Sequence, residues 1–383
     1  MSPLAAILLL LITAKGMGEL IERLGFPSVI GEIAAGALLG PAVLGFIEPG
    51  EPIEIFADIG LIVLLFMSGA QMNLRTFAKT GKAGSLVAVA GVAVPLAAGT
   101  VLGLASGYGS IHAIFIGIAL SITSIGISVR TLIDLRQLKS DIGLLVVSSA
   151  VIDDVIGIVM LGVLAALVAG EGYGAGLLTI FVLSILFFVL LLTAGKRAII
   201  WAFQASHRAH THEMPYSVAL ICGLLCAIAA HEAGLHYAIG AFIAGLILGD
   251  SIRSDRSLYD SLSDLAFGFF VTIFFAYIGL LFPPAFGDVP LLFLAALIIV
   301  AFASKIAGGF IGAYWTLRNW RRSLVVGYGL VPRGEMALVA GKVSLSAGII
   351  TASLFSAATI MIVITVFAAP FLLVRGFASL ERD

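Results

Sequence analysis

Two adjacent carboxylates, Asp153 and Asp154, sit at the centre of one long apolar run, Ile142 to Val168. An Asp at the centre of a membrane helix costs about 2.5–3.5 kcal/mol, and two neighbours also repel each other. Such a pair persists where it holds a proton, a cation or both. Three more charges fall at the same depth. Asp153 and Lys305 each lie about eleven residues from one end of their apolar runs, and Arg333 and Glu335 about ten. At ~1.5 Å per residue all are near the middle of a ~30 Å hydrocarbon layer, so they must face one another or water. Neighbouring helical residues point about 100° apart. One aspartate can therefore pair with Lys305 while the other faces an aqueous cavity. A carboxylate that binds either a proton or a small monovalent cation, never both together, couples two fluxes. Lys305 suits a proton-linked role, because lysine loses its proton readily when desolvated. A static salt bridge is the alternative.

Two further stretches interrupt their helices at this depth. Ser121-Ile-Thr-Ser-Ile-Gly-Ile-Ser128 gathers hydroxyls and a glycine, and Gly329-Leu-Val-Pro-Arg-Gly-Glu335 places Pro332 and Gly334 there. The freed carbonyls and the hydroxyls of Thr123 and Ser124 are candidate cation ligands, since hard cations favour oxygen. Broken half-helices carry partial charges of both signs, which Arg333 and Glu335 are placed to neutralise.

The elements that hold these residues are membrane helices. Of 383 residues 61% are hydrophobic and 11% charged, far from the quarter expected of a soluble domain. The net charge of −1 argues against a nucleic-acid partner. No basic residue precedes the first apolar run, so that run is expected to stay as a helix and not to be cleaved as a signal. Apolar windows predict thirteen spans, at 2–22, 27–45, 55–72, 84–105, 112–133, 142–168, 176–195, 215–231, 237–250, 259–282, 290–316, 324–347 and 351–373. With the N-terminus outside, seventeen of the 21 Lys and Arg residues fall in alternate, cytoplasmic loops or the tail; the other four, Lys15, Lys305, Arg333 and Lys342, fall inside helices. The opposite loops hold only acids such as Glu48, Glu51, Glu54, Glu171 and Asp288. Positive-inside bias then places the C-terminus in the cytoplasm. The short tail predicts no soluble regulatory domain.

The chain also repeats itself. Ile30-Gly-Glu-Ile-Ala-Ala-Gly-Ala-Leu-Leu-Gly40 aligns with Ile239-Gly-Ala-Phe-Ile-Ala-Gly-Leu-Ile-Leu-Gly249, an offset of 209 that also lays Gly99 on Gly308, Gly103 on Gly312 and Thr123 on Pro332. The matched helices are the second and the ninth. An odd separation makes the copies antiparallel, as in the inverted repeats of secondary transporters. The expected division is 3–168, a linker helix at 176–203, and 212–375.

Other ionisable residues read as structural. Lys15 and Glu19 form an i,i+4 pair. Glu32 lies in a glycine-rich helix. His231, Glu232 and His236 fall at a solvated boundary, and His207, His210, His212 and Glu213 in a loop, where pH sensing or metal binding is the rival reading. Cys222 and Cys226, four apart on one helix, read as buried free thiols. No cofactor is expected.

Ser149-Ala-Val-Ile-Asp-Asp-Val-Ile-Gly157, Ala303-Ser-Lys-Ile-Ala-Gly-Gly309, Val331-Pro-Arg-Gly-Glu335 and Pro27-Ser-Val-Ile-Gly-Glu-Ile-Ala-Ala-Gly-Ala-Leu-Leu-Gly-Pro41 together resemble the monovalent cation:proton antiporter-2 family, in its double-aspartate form. The resemblance covers nearly the whole chain. It implies an all-α fold of thirteen membrane helices with crossed broken helices, and a homodimer in a prokaryotic inner (plasma) membrane. It also implies a core of helices four to six and eleven to thirteen moving, elevator-like, against a scaffold of helices one to three and eight to ten. It assigns Asp154 as the carboxylate for proton and monovalent cation, Asp153 as the partner of Lys305, and Thr123 and Ser124 as the unwound crossover. The paired aspartates and the missing soluble domain favour the sodium branch, with Na⁺ as substrate, Li⁺ as a second candidate and pH homeostasis as the role. A lysine at 305 resembles the electrogenic members. A potassium/proton antiporter is the alternative. An intramembrane aspartyl protease would need two aspartates on separate helices, and a passive channel would need no proton coupling; the contiguous pair disfavours the first.

Overall fold

The computed structural model describes residues 2–169, 174–211, 213–282, 289–346 and 349–380. Among them the chain is helical, with no strand. The helices are α1 (Pro3–Arg23), α2 (Ser28–Leu39), α3 (Glu51–Gln71), α4 (Leu74–Ala105), α5 (Ser110–Ser121), α6 (Ile125–Asp134), α7 (Asp141–Ala169), α8 (Gly174–Leu190), α9 (Lys196–Ser206), α10 (Met214–Glu232), α11 (Tyr237–Ser254), α12 (Arg256–Leu265), α13 (Val271–Leu280), α14 (Leu291–Leu317), α15 (Trp320–Gly329), α16 (Glu335–Ser346) and α17 (Ala352–Leu380). Wider π-helical turns, Leu191–Gly195 and Ala266–Phe270, join α8 to α9 and α12 to α13. With α5–α6 and α15–α16 as broken pairs, these segments make thirteen membrane helices.

Helix ends follow local chemistry. Ser2 caps α1 by accepting the Ala5 amide at 3.3 Å, and Pro3 opens the helix. Gly40-Pro41 stops α2 after twelve residues, because proline disfavours helix in the residue before it. Several helices outrun the apolar windows. α4 begins at Leu74 and takes in Arg75, Lys79 and Lys82, while Lys196 and Arg197 belong to α9. Hydropathy stops at the first charge, whereas a lysine or arginine on a helix end can keep its head in water and lay its stem along apolar surface.

The chain divides into two compact units, one of Met1–Pro49, Thr80–Tyr173 and Ala276–Asp383, the other of Gly50–Lys79 and Gly174–Phe275. This grouping differs from the scaffold implied by the resemblance, since α1 and α2 cluster with the broken helices. α2 packs on α6 and α17, and it meets Ala276–Leu280 of the same unit in close backbone contact. A Cβ at Gly36 would lie 1.8 Å from the Ala276 carbonyl oxygen, and one at Gly279 2.1 Å from that of Ile33.

The same contacts recur in the second unit, shifted by 209. A Cβ at Gly31 would lie 2.3 Å from the Met17 carbonyl oxygen and one at Gly240 1.9 Å from that of Cys226; one at Gly245 would lie 1.9 Å from that of Phe66, as one at Gly36 meets Ala276. Small residues that let backbones approach are how membrane helices associate where lipid offers no hydrophobic drive. Cys222 and Cys226 are buried and free.

Candidate functional site

The site lies wholly in the first unit, where α5–α6 and α15–α16 break beside α7 and α14. The two breaks have different local causes. Pro332 has no amide proton and disfavours helix at Val331. The first break contains neither proline nor glycine, only Ile122, Thr123 and Ser124 in extended conformation or close to it. Its partner holds it open. The Ser124 amide donates to the Pro332 carbonyl at 2.8 Å, and the Ser128 hydroxyl donates to the Gly329 carbonyl at 2.5 Å. A Cβ at Gly334 would lie 2.5 Å from Ser124 Oγ, so only glycine fits where the chains cross.

α7 packs against α5, α6 and α15 and brings both aspartates to this level, Asp153 at 3% and Asp154 at 4% exposure. Neither faces lipid. Lys305, on α14, is 1% exposed and lies 3.5 Å from Asp153 Oδ2. Its ammonium also donates to the Gly91 carbonyl at 2.9 Å and to the Ser121 carbonyl. The amide and hydroxyl of Thr123 stand beside the Asp153 carboxylate, yet Thr123 Oγ1 and both Asp153 oxygens meet no hydrogen-bond geometry. Buried oxygens of this kind are costly to leave unsatisfied; the Lys305 ammonium is the charge partner of Asp153, and the Thr123 hydroxyl is an oxygen of the kind a small hard cation favours.

Arg333, fully buried, closes the crossover from the other side. Its guanidinium donates to the Leu120 carbonyl at 2.9 and 3.2 Å, to the Ala301 carbonyl at 2.8 Å and to the Val331 carbonyl. Leu120 and Ser121 are the last residues of α5. Two cations, Arg333 and Lys305, thus meet the negative end of one half-helix. Sequence reasoning assigned that task to Arg333 and Glu335; the part played by Lys305 emerges only in three dimensions. Glu335 opens α16, and its side chain lies outside the described residues.

Other expectations divide. Lys15 reaches across to Glu32 at 3.8 Å, while Glu19 pairs with Arg23 at 2.8 Å, so the expected Lys15–Glu19 pair gives way to an exposed neighbour one turn on. Buried Glu32 belongs to a polar cluster that the sequence did not reveal. Arg130 binds Asp134 at 3.3 Å and donates to Ser28 Oγ at 2.8 Å, tying α6 to α2. His231 and Glu232 are exposed. His236 instead caps α11, its Nδ1 accepting the Ala238 amide at 3.3 Å. Burial, then the neighbouring His231, lowers its pKa to about 4, which keeps that lone pair available. His207, His210 and Glu213 line an open groove; His212, Glu171 and Asp288 lie outside the described residues.

The family described as the transmembrane sodium/hydrogen exchanger matches residues 6–375. The Na(+)/H(+)-K(+) antiporter GerN of Bacillus cereus is 29% identical over 98% of this chain and 96% of its own. A Na(+)/H(+) antiporter of Enterococcus hirae is 29% identical, covering 96% of each. The solved sodium proton antiporter MjNhaP1 of Methanocaldococcus jannaschii superposes with a TM-score of 0.74 at 18% identity, over 99% of this chain and 98% of that one. Crossed broken helices, paired buried aspartates and a match spanning nearly the entire length lead to one conclusion: this chain is a multi-pass membrane protein belonging to the sodium/hydrogen exchanger family.

Proposed function

We propose that the protein exchanges Na⁺, with Li⁺ as a second substrate, for protons by alternating access, and that Asp154 is the carboxylate over which the two ions compete. The observation that carries this reading is the division of labour on α7. Lys305 engages Asp153, and Asp154, buried on the same helix, points about 100° away from it. Thr123, Ser124 and the carbonyls of the crossover supply further oxygen ligands, and Arg333 and Glu335 balance the half-helix ends. A proton on Asp154 and a cation beside it exclude each other because both neutralise the same charge.

In this reading Lys305 takes a proton when Asp153 releases it and makes exchange electrogenic. A core containing the crossover moves elevator-like, within a homodimer in the inner membrane of a prokaryote, N-terminus outside and C-terminus cytoplasmic. The repeats run 3–168 and 212–375, joined through 176–203. The second reading is potassium/proton exchange; it draws on the printed name of GerN, which includes K(+).

The test is transport in proteoliposomes under imposed sodium and pH gradients with the potential clamped, across Na⁺, Li⁺ and K⁺. Asp154→Asn is expected to abolish exchange and leave a folded protein. Wild-type rates from that variant refute the assignment, and proton-coupled flux with K⁺ alone selects the second reading.

A further inference from the structure

Between the start of α15 and the end of α17, within the first unit, lies a cavity of about 670 Å³, a size typical of small-molecule sites. Its polarity is graded. Arg321, Arg375 and Ser379 line the end nearest the helix termini, and Leu324, Tyr328 and Leu372 the other. Arg321 to Tyr328 on α15, and Ser379 to Leu372 on α17, run the same way, each about 10 Å from terminus toward the membrane interior. Gly376 forms the floor, where a Cβ would come within 3.0 Å of Tyr328 and Val325.

Among the described lining residues the charge is of one sign. Both charged lining side chains are arginines, and among the described residues no Asp or Glu lines the cavity. The amino end of α15 adds partial positive charge at Trp320 and Arg321. Two exposed tryptophans fix the level: Arg321 lies 5.3 Å from the Trp320 ring centroid, and nearby Arg318 5.4 Å from that of Trp315. Tryptophans exposed on a membrane helix end sit at the headgroup boundary. The charged mouth is therefore level with lipid phosphates and the apolar end with the first acyl carbons.

We propose that this cavity is a binding site for an anionic glycerophospholipid. Arg321 and Arg375 hold its phosphodiester, bidentate geometry favouring arginine here, and the upper acyl chain lies over Leu324, Tyr328 and Leu372. Because α15 carries the Pro332 break, a lipid wedged here braces the half-helix against α17. The assignment requires membrane insertion and is independent of which ion is exchanged.

The test uses the full chain in maltoside micelles, titrated separately with phosphatidylglycerol, phosphatidylcholine and inorganic phosphate. Retained lipid is counted by native mass spectrometry, and the melting midpoint is followed. Phosphatidylglycerol is expected to be retained and to raise the midpoint by several degrees, while the other two have no effect. The double variant Arg321→Gln/Arg375→Gln should weaken retention at least five-fold. Ala378→Phe, which fills the groove without changing charge, should do the same and decides the matter if the double variant does not fold. Equal retention of phosphatidylcholine, an equal response to inorganic phosphate, or wild-type retention by Ala378→Phe each overturns the proposal.

Discussion

The two broken helices do the same geometric job with opposite chemistry. The second break is written into its own sequence: Pro332 forbids the helix, Gly334 permits the crossing and Arg333 donates back to the Val331 carbonyl. The first break has none of these devices. It is a run of β-branched and hydroxyl residues held open by its partner through Ser124 and Ser128, and its carbonyl end is neutralised by Arg333 and Lys305, which lie on other helices. The self-sufficient break acts as a frame. The dependent one sets the amide and hydroxyl of Thr123 beside the Asp153 carboxylate without full hydrogen-bond geometry, and is the one suited to exchange a ligand.

Substitutions can break or sharpen that contrast. Arg333→Gln should have the largest effect. It leaves at least two buried carbonyls without donors at roughly 1–3 kcal/mol each, so stability should fall by about 3–5 kcal/mol, read as the greatest drop in melting midpoint in the series. A near-wild-type midpoint would show that the frame is held by something else. Lys305→Gln should leave a folded protein in which Asp153 keeps its proton, and exchange should lose its response to membrane potential. If potential drives that variant just as it drives wild type, the lysine is a static brace. Ser128→Ala removes the hydroxyl that bridges to the Gly329 carbonyl and should cost about 1–1.5 kcal/mol, visible as a modest midpoint shift. Thr123→Val should be smallest in stability, within about 0.5 kcal/mol, because the hydroxyl it removes meets no hydrogen-bond geometry with the neighbouring Asp153 carboxylate; the apparent KM for Na⁺ should nevertheless rise several-fold. A large loss of stability with unchanged ion affinity would reverse the roles given to the two breaks.

Much of this was legible in the residues. Long apolar runs give the thirteen helices, and the depth of Asp153, Lys305 and Arg333 within them gives their common level without any structure. The 209 spacing pointed to the repeat, and the glycine contacts at Gly31 and Gly240 now give it a physical purpose. What stayed hidden depends on neighbours distant in sequence. Arg130 read as a loop cation because nothing local announces its bonds to Ser28 and Asp134. Lys15 looked paired with Glu19, although a side chain with four rotatable bonds reaches another helix as easily as its own. His236 looked solvated because a cap is a property of backbone geometry, not of composition.

The glycine seams bear on motion. At Gly31, Gly36, Gly240 and Gly245 main chain lies against main chain, with no side chain between to change rotamer and absorb a slip. Helices joined in this way are expected to move as pairs. In the elevator-like exchange proposed above, sliding would occur along surfaces cushioned by larger side chains, and a Cβ introduced at one of these four positions would part the close backbone contact.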